Sequence, residues 1–257
     1  MVVMMMLLLV PPGAAITVAA DDSVFPRSGR KCTARPGSMT GPPPARNKLR
    51  FGTCFVTCGI IVRLPSCSRL VCLPVLARLH VPGKGTARKP RRQTAPASTV
   101  SCAVALVAQL AAAFPGRRID VVADAHHHGP ALRDLPQNVT WTTRLPKNAV
   151  LYAPGPAPGP QARLAAAQGA PAWPPVGAGR RRVLGTGNRH IYRRDQAREL
   201  AEITCLWYGC LDTRTARVIL ARDAVTTLAL VTTDLHASPA ALTERYAAPV
   251  GHRAGIL

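Results

Sequence analysis

Acidic side chains are the scarcest chemistry in this chain. Twelve Asp and Glu stand against 33 Lys and Arg, giving a net charge of +21, and none of the twelve lies between Asp22 and Asp120. Such a balance excludes basic partners and favours polyanions. A phosphate backbone would release counterions on binding it. Aromatics are also few, at 4%, so base stacking on an aromatic platform is not expected to dominate. None of the eight cysteines forms a C-x-x-C pair, which argues against a zinc site and for buried free thiols in a reducing cytoplasm. No apolar run is long enough to span a bilayer as a helix. The start, Met1 to Val10, has the apolar core of a signal peptide but no positive region before it.

Basic groups and a core-forming share of apolar residues are present instead. Arg and Lys cluster at Lys84 to Arg92, Arg117-Arg118, Arg180 to Arg182 and Arg189 to Arg198. Arg far outnumbers Lys, and Ala, Pro and Gly are abundant, so GC-rich codon bias accounts for some of the charge. At 257 residues and 47% hydrophobic, the chain can bury one large domain or two small ones.

Periodicity predicts strands over 16–20, 51–64 and 70–79, the last weakened by Pro74. A Gly/Pro-rich basic stretch, 27–47, separates the first two. Ser98 to Phe114 reads as a helix with Ser98 or Thr99 as cap, an apolar stripe at Val104, Leu106, Val107, Leu110 and Ala111, and a stop at Pro115-Gly116. A strand over 119–123, a short helix over 130–135 and a strand over 139–145 follow. Ala153 to Gly187 is low in complexity and reads as a flexible insertion. Strands over 203–208, 217–221 and 226–232 lead to a helix over 240–247, with Ser238 as N-cap and Pro239 at its first position.

This β-β-β-α-β-α-β order resembles a ribonuclease H-like core, in which the first and fourth strands lie side by side. Asp21 follows the first strand and Asp124 the fourth, so two strand-end carboxylates would meet. Oxygen-only ligands suit Mg²⁺ or Mn²⁺, and two such ions could clamp a phosphodiester for in-line transfer. An Asp after a strand is also an ordinary turn former or helix cap.

The segment Asp21-Asp22-Ser23-Val24-Phe25-Pro26-Arg27-Ser28-Gly29-Arg30-Lys31 resembles the first catalytic block of bacterial insertion-sequence DDE transposases. Asp120-Val121-Val122-Ala123-Asp124-Ala125, followed by Gly129, is similar to the second. Asn47-Lys48-Leu49, Val71 to Leu76, Val139 to Tyr152, Cys205 to Gly209 and Leu228 to Tyr246 extend the likeness from about Ile16 to Tyr246. The resemblance implies Asp21 and Asp124 as catalytic, metal-binding carboxylates, with Asp22 a less essential neighbour. It implies phosphate contacts from Arg27, Arg30, Lys31 and Lys48. Its partners would be element-end and target DNA, with no membrane and with a homodimer left open. The family's third carboxylate, a Glu soon after the Glu244-Arg245-Tyr246-Ala247 helix, has no match, because the chain continues Ala248-Pro249-Val250-Gly251-His252-Arg253.

The expected fold class is α/β, a ribonuclease H-like mixed sheet with flanking helices and a β-containing insertion, C-terminally incomplete. Its expected parts are an apolar start (1–15), a first part of the core (16–152), a Pro/Gly/Arg-rich insertion (153–198), late strands and last helix (199–248) and an aberrant tail (249–257), with both ends reading as truncated. The expected function is DDE-type transposition in the cytoplasm, weakened by the missing carboxylate. The alternatives are an inactive basic DNA-binding remnant and, more remotely, an exported basic protein. His126 to His128 read as solvated rather than metal-binding, since no partner has tetrahedral spacing. Cys205 and Cys210 read as packing residues with no activating group.

Overall fold

The computed structural model describes residues 9–26, 37–39, 49–64, 70–81, 98–146, 148–152, 182–191, 194–222 and 227–250. Strand β1 (Ile16–Pro26) alternates buried Ile16, Val18 and Ala20 with half-buried Thr17, Ala19 and Asp21, the period-2 pattern of a strand covered on both faces. It pairs antiparallel with β3 (Leu49–Arg63) and parallel with β5 (Ile119–Ala123). The short β2 (Gly37–Met39) and β4 (Leu70–His80) also pair with β3, and β6 (Val139–Arg144) runs parallel to β5. The sheet continues through β10 (Thr227–Thr232), β9 (Thr215–Arg222), β8 (Arg194–Leu206) and β7 (Arg182–Ile191), all antiparallel. The order is thus β2-β3-β1-β5-β6-β10-β9-β8-β7, with β4 on β3. This mixed α/β arrangement is consistent with the expected core, and the first and fourth predicted strands are neighbours.

Three differences from the sequence reading have local causes. β1 runs past the carboxylates to Pro26, because β3 offers a partner at every step from Val18↔Ile60 to Pro26↔Gly52. Asp21 is therefore a mid-strand residue, not a strand-end one. β2 falls in the Gly/Pro-rich stretch, where three backbone pairings outweigh poor strand propensity. β7 and the start of β8 fall within the insertion expected over 153–198, whose β content was expected but not located, and β7 begins inside the part read as flexible, 153–187. There the sheet edge at β9 supplies a template that composition does not reveal. Pro74 is accommodated beside a register shift against Cys58 and Gly59, the usual place for proline in a strand.

Helix α1 (Thr99–Ala113) starts as predicted. Ser98 Oγ accepts from the Ser101 amide at 3.0 Å, and Ser101 Oγ accepts from the Ser98 amide at 2.9 Å, a reciprocal capping box. Its buried Val100, Val104, Val107 and Leu110 pack on Ile16, Val18, Ala20, Ile119 and Val121. A one-turn α2 (Tyr208–Leu211) follows β8, where strand was predicted to continue through Tyr208. Helix α3 (Pro239–Val250) covers the opposite face, where Leu242 and Tyr246 meet Val122, Ile219, Leu228 and Leu230. Ser238 Oγ accepts from the Ala241 amide at 3.2 Å, the predicted N-cap bond. In the apolar start, Val10 is buried in the core and Arg117 donates to Pro11 O at 2.9 Å.

Among the described residues no helix is long and apolar enough to cross a membrane.

Candidate active site

Parallel pairing sets the site. The β1–β5 register ends at Ala20↔Ala123, so the next step brings Asp21 and Asp124 side by side at the C-terminal end of β5. Strand alternation puts Asp21 on the α3 face with Ala19, and Asp120, Val122 and Asp124 on that same face. Both carboxylates are oriented by backbone. Asp21 Oδ1 accepts from the Asp22 amide at 3.0 Å and Asp124 Oδ1 from the Ala125 amide at 2.6 Å. Their carbonyls are held too, by Thr57 Oγ1 at 3.3 Å and Thr143 Oγ1 at 2.6 Å. Both residues are half-buried, so solvent reaches them.

Asp22 points to the other face of β1. Its Oδ2 lies 3.9 Å from Cys54 Sγ and its Oδ1 4.0 Å from His127 Nε2. The three histidines divide sharply, which corrects the reading of all three as solvated. His126 is exposed. His127 is completely buried, and neither ring nitrogen has a hydrogen-bond partner. His128 stacks on Trp207, ring centroids 5.6 Å apart, with Nδ1 against Ala125 O. The tight turn after Asp124, closed by the His127 amide on Asp124 O at 2.9 Å, drives the middle ring inward. Three consecutive identical letters cannot signal that.

Burial pushes the His127 pKa below its ordinary 6.5, against the pull of Asp22, Asp21 and Asp124. The ring is thus neutral at pH 7. As pH falls below about 6.5 the unfolded chain takes up a proton that the folded chain refuses, so stability declines. Replacing His127 by Leu removes two buried, unsatisfied nitrogens and is expected to stabilise the fold by about 1–2 kcal/mol. The gain should widen below pH 6.5. Urea midpoints of both proteins at pH 5.5 and 7.5 check this, and a destabilised variant at both values refutes it.

The described cysteines, Cys54, Cys58, Cys72, Cys102, Cys205 and Cys210, are free, and all but Cys72 are fully buried. Burial pushes the Cys205 and Cys210 thiols up to about 11, so they pack rather than react, as expected.

Sequence reasoning missed an ion network at the other end of β5. Asp120, 2% exposed, accepts from Arg118 Nε at 2.8 Å, Thr140 Oγ1 at 2.7 Å and Arg245 Nη2 at 3.2 Å. Asp234, 1% exposed, pairs with Arg118 and with Arg245 Nη1 at 3.1 Å, and its Oδ1 accepts from the His236 and Ala237 amides. These contacts fasten α3 to the sheet. Asp120 and Asp124 are four residues apart, about 13 Å along a strand. Arg245 is anchored to Asp120, and its neighbour Glu244 is exposed to solvent. Glu244 is not brought to Asp21 and Asp124. Among the described residues no third Asp, Glu, His or Cys completes a metal-holding group there. Arg27, Arg30, Lys31 and Lys48, the expected phosphate contacts, lie outside the described residues.

No curated protein matches the chain significantly. A family model described as DDE superfamily endonuclease matches residues 2–209, which takes in β1, β5 and both carboxylates. On that match the chain belongs to the DDE superfamily endonucleases.

Proposed function

We propose that this chain is the ribonuclease H-like core of an insertion-sequence DDE transposase, acting in the cytoplasm on DNA. Asp21 and Asp124 are its catalytic and metal-binding carboxylates. The observation that carries the reading is the β1–β5 register, which makes neighbours of two carboxylates far apart in sequence. The donor set fits a hard divalent cation, Mg²⁺ or Mn²⁺. It is all oxygen, backbone-oriented and open to the waters such an ion keeps. Divalent metal use is general in this family. A bound ion supplies charge stabilisation to an in-line phosphoryl transfer. The chain's own part is to fix both carboxylates at one end of the sheet, while Arg27, Arg30, Lys31 and Lys48 contact the phosphates.

The rate should be low. Among the described residues no third Asp, Glu, His or Cys joins Asp21 and Asp124, and Glu244 faces solvent. Two carboxylates hold one ion weakly, and none of the described residues is placed to position a second. The test is Mn²⁺ binding by electron paramagnetic resonance, alongside cleavage of element-end DNA in Mg²⁺ or Mn²⁺. Weak Mn²⁺ binding lost in Asp21→Asn and Asp124→Asn, with cleavage slow and Asp124-dependent, supports the proposal. Fast Asp124-dependent turnover overturns the predicted weakness. DNA binding with neither metal binding nor cleavage favours the inactive remnant.

A further inference from the structure

β1 does not stop at its carboxylates, and what it presents beyond them is aromatic. Alternation from Asp21 places Ser23 and Phe25 on the same face. The register sets Ser23 opposite Phe55 and Phe25 opposite Thr53, so both rings lie on the Asp21 face. They meet edge-on, centroids 5.8 Å apart at 82°. The chain has only four Phe, and two of them are here. Phe25 is 54% exposed, and Leu79, opposite Phe55 on β4, is 40% exposed. The two strands approach closely beneath, since a Cβ on Gly52 would strike the carbonyl oxygen of Phe25.

We propose that Phe25, braced by Phe55, is a stacking site for an unpaired nucleobase of the DNA strand whose phosphate lies at Asp21 and Asp124. The inference rests on the DNA reading given above. An exposed ring held edge-on by another offers its face to a partner, and every base has a complementary π-face. Four residues of strand separate Phe25 from Asp21, about 13 Å, or roughly four nucleotides of a stacked strand at 3.4 Å each. The occupant is anionic by charge complementarity. No carboxylate occurs from Ser23 to Ile119, so the rest of β1 and all of β3 and β4 carry nothing that repels a strand. Scarcity of aromatics argues against stacking as the dominant mode of binding; it leaves room for a single well-placed ring.

The experiment uses the full chain and two duplexes, one ending in an unpaired overhang that carries 2-aminopurine, the other fully paired with the same label. The parent should quench the overhang label and bind that probe more tightly. Phe25→Leu keeps the apolar volume and the fold but removes the ring. It should abolish the quench and weaken overhang binding on the order of tenfold, leaving paired-duplex binding within about twofold. Phe25→Trp should restore both, as ring stacking requires. Equal weakening on both probes, or an unchanged quench, overturns the proposal. So does a loss of self-association in Phe25→Leu with DNA binding intact, which would assign the surface to a second copy of the chain. If the parent binds neither probe, the DNA reading itself fails. If it binds both without any overhang quench, only the stacking site fails.

Discussion

Replacing Asp234 by Ala is expected to cost about 3–5 kcal/mol of stability, a large share of a typical domain's total. The carboxylate is 1% exposed and serves several groups at once. It pairs with Arg118 and Arg245, accepts from the amides of His236 and Ala237 ahead of α3, and lies where Arg217 Nη1 reaches Ala237 O at 2.8 Å. Removal leaves two guanidiniums sharing Asp120 and unravels the entry to the helix. The pH dependence has a definite sign. Burial alone would raise the Asp234 pKa, but the two amides, Arg245 and Arg118 outweigh it and hold the carboxyl below its ordinary 3.8. Its contribution is present above that value and is lost as pH falls through the lower, folded one. Urea titrations at pH 7 and pH 3 read both effects. The parent should lose more stability than Asp234→Ala on acidification, and equal losses would remove Asp234 from the account.

DNA affinity should fall on the order of 10³-fold between about 50 and 200 mM salt, provided six or so phosphates are neutralised. An excess of cations this large, 33 against 12, makes backbone contact the dominant source of affinity. The logarithmic slope, read by fluorescence anisotropy on a paired duplex, should be near −5 or steeper. A slope shallower than about −2 would mean that the positive charge does not serve nucleic acid. The same slope should be found in Asp124→Asn, because a carboxylate makes no phosphate ion pair of its own. Measuring both proteins therefore separates binding from catalysis.

The sequence disclosed local features well and long-range ones unevenly. Helix α1 was legible because Ser98, its apolar stripe and Pro115-Gly116 all act within a few residues. β5 was legible because five consecutive positions are apolar except for Asp120. The pairing of Asp21 with Asp124 was legible only through strand order, since no local signal links β1 to β5. What stayed hidden depends on distant partners. Asp120 stood in the sequence only as the first residue of the segment that leads to Asp124, yet it is clamped by Arg245, which comes from far along the chain. His127 looked like either of its neighbours, and only the turn at Asp124 decides which of the three rings is buried. β structure was expected in the insertion, but the bounds of β7 were not, because its pairing with β8 rather than its composition sets them.

Tyr152 and Leu206 exchange both of their backbone hydrogen bonds, at 2.9 and 2.8 Å. This isolated bridge joins a residue that follows β6 in the chain to the last residue of β8. In polymer terms it fixes the ends of a loop, and lengthening such a loop twofold costs only about 0.6 kcal/mol. The span it closes includes β7 and β8, so the bridge and the β8–β9 ladder together fix where that pair of strands joins the sheet.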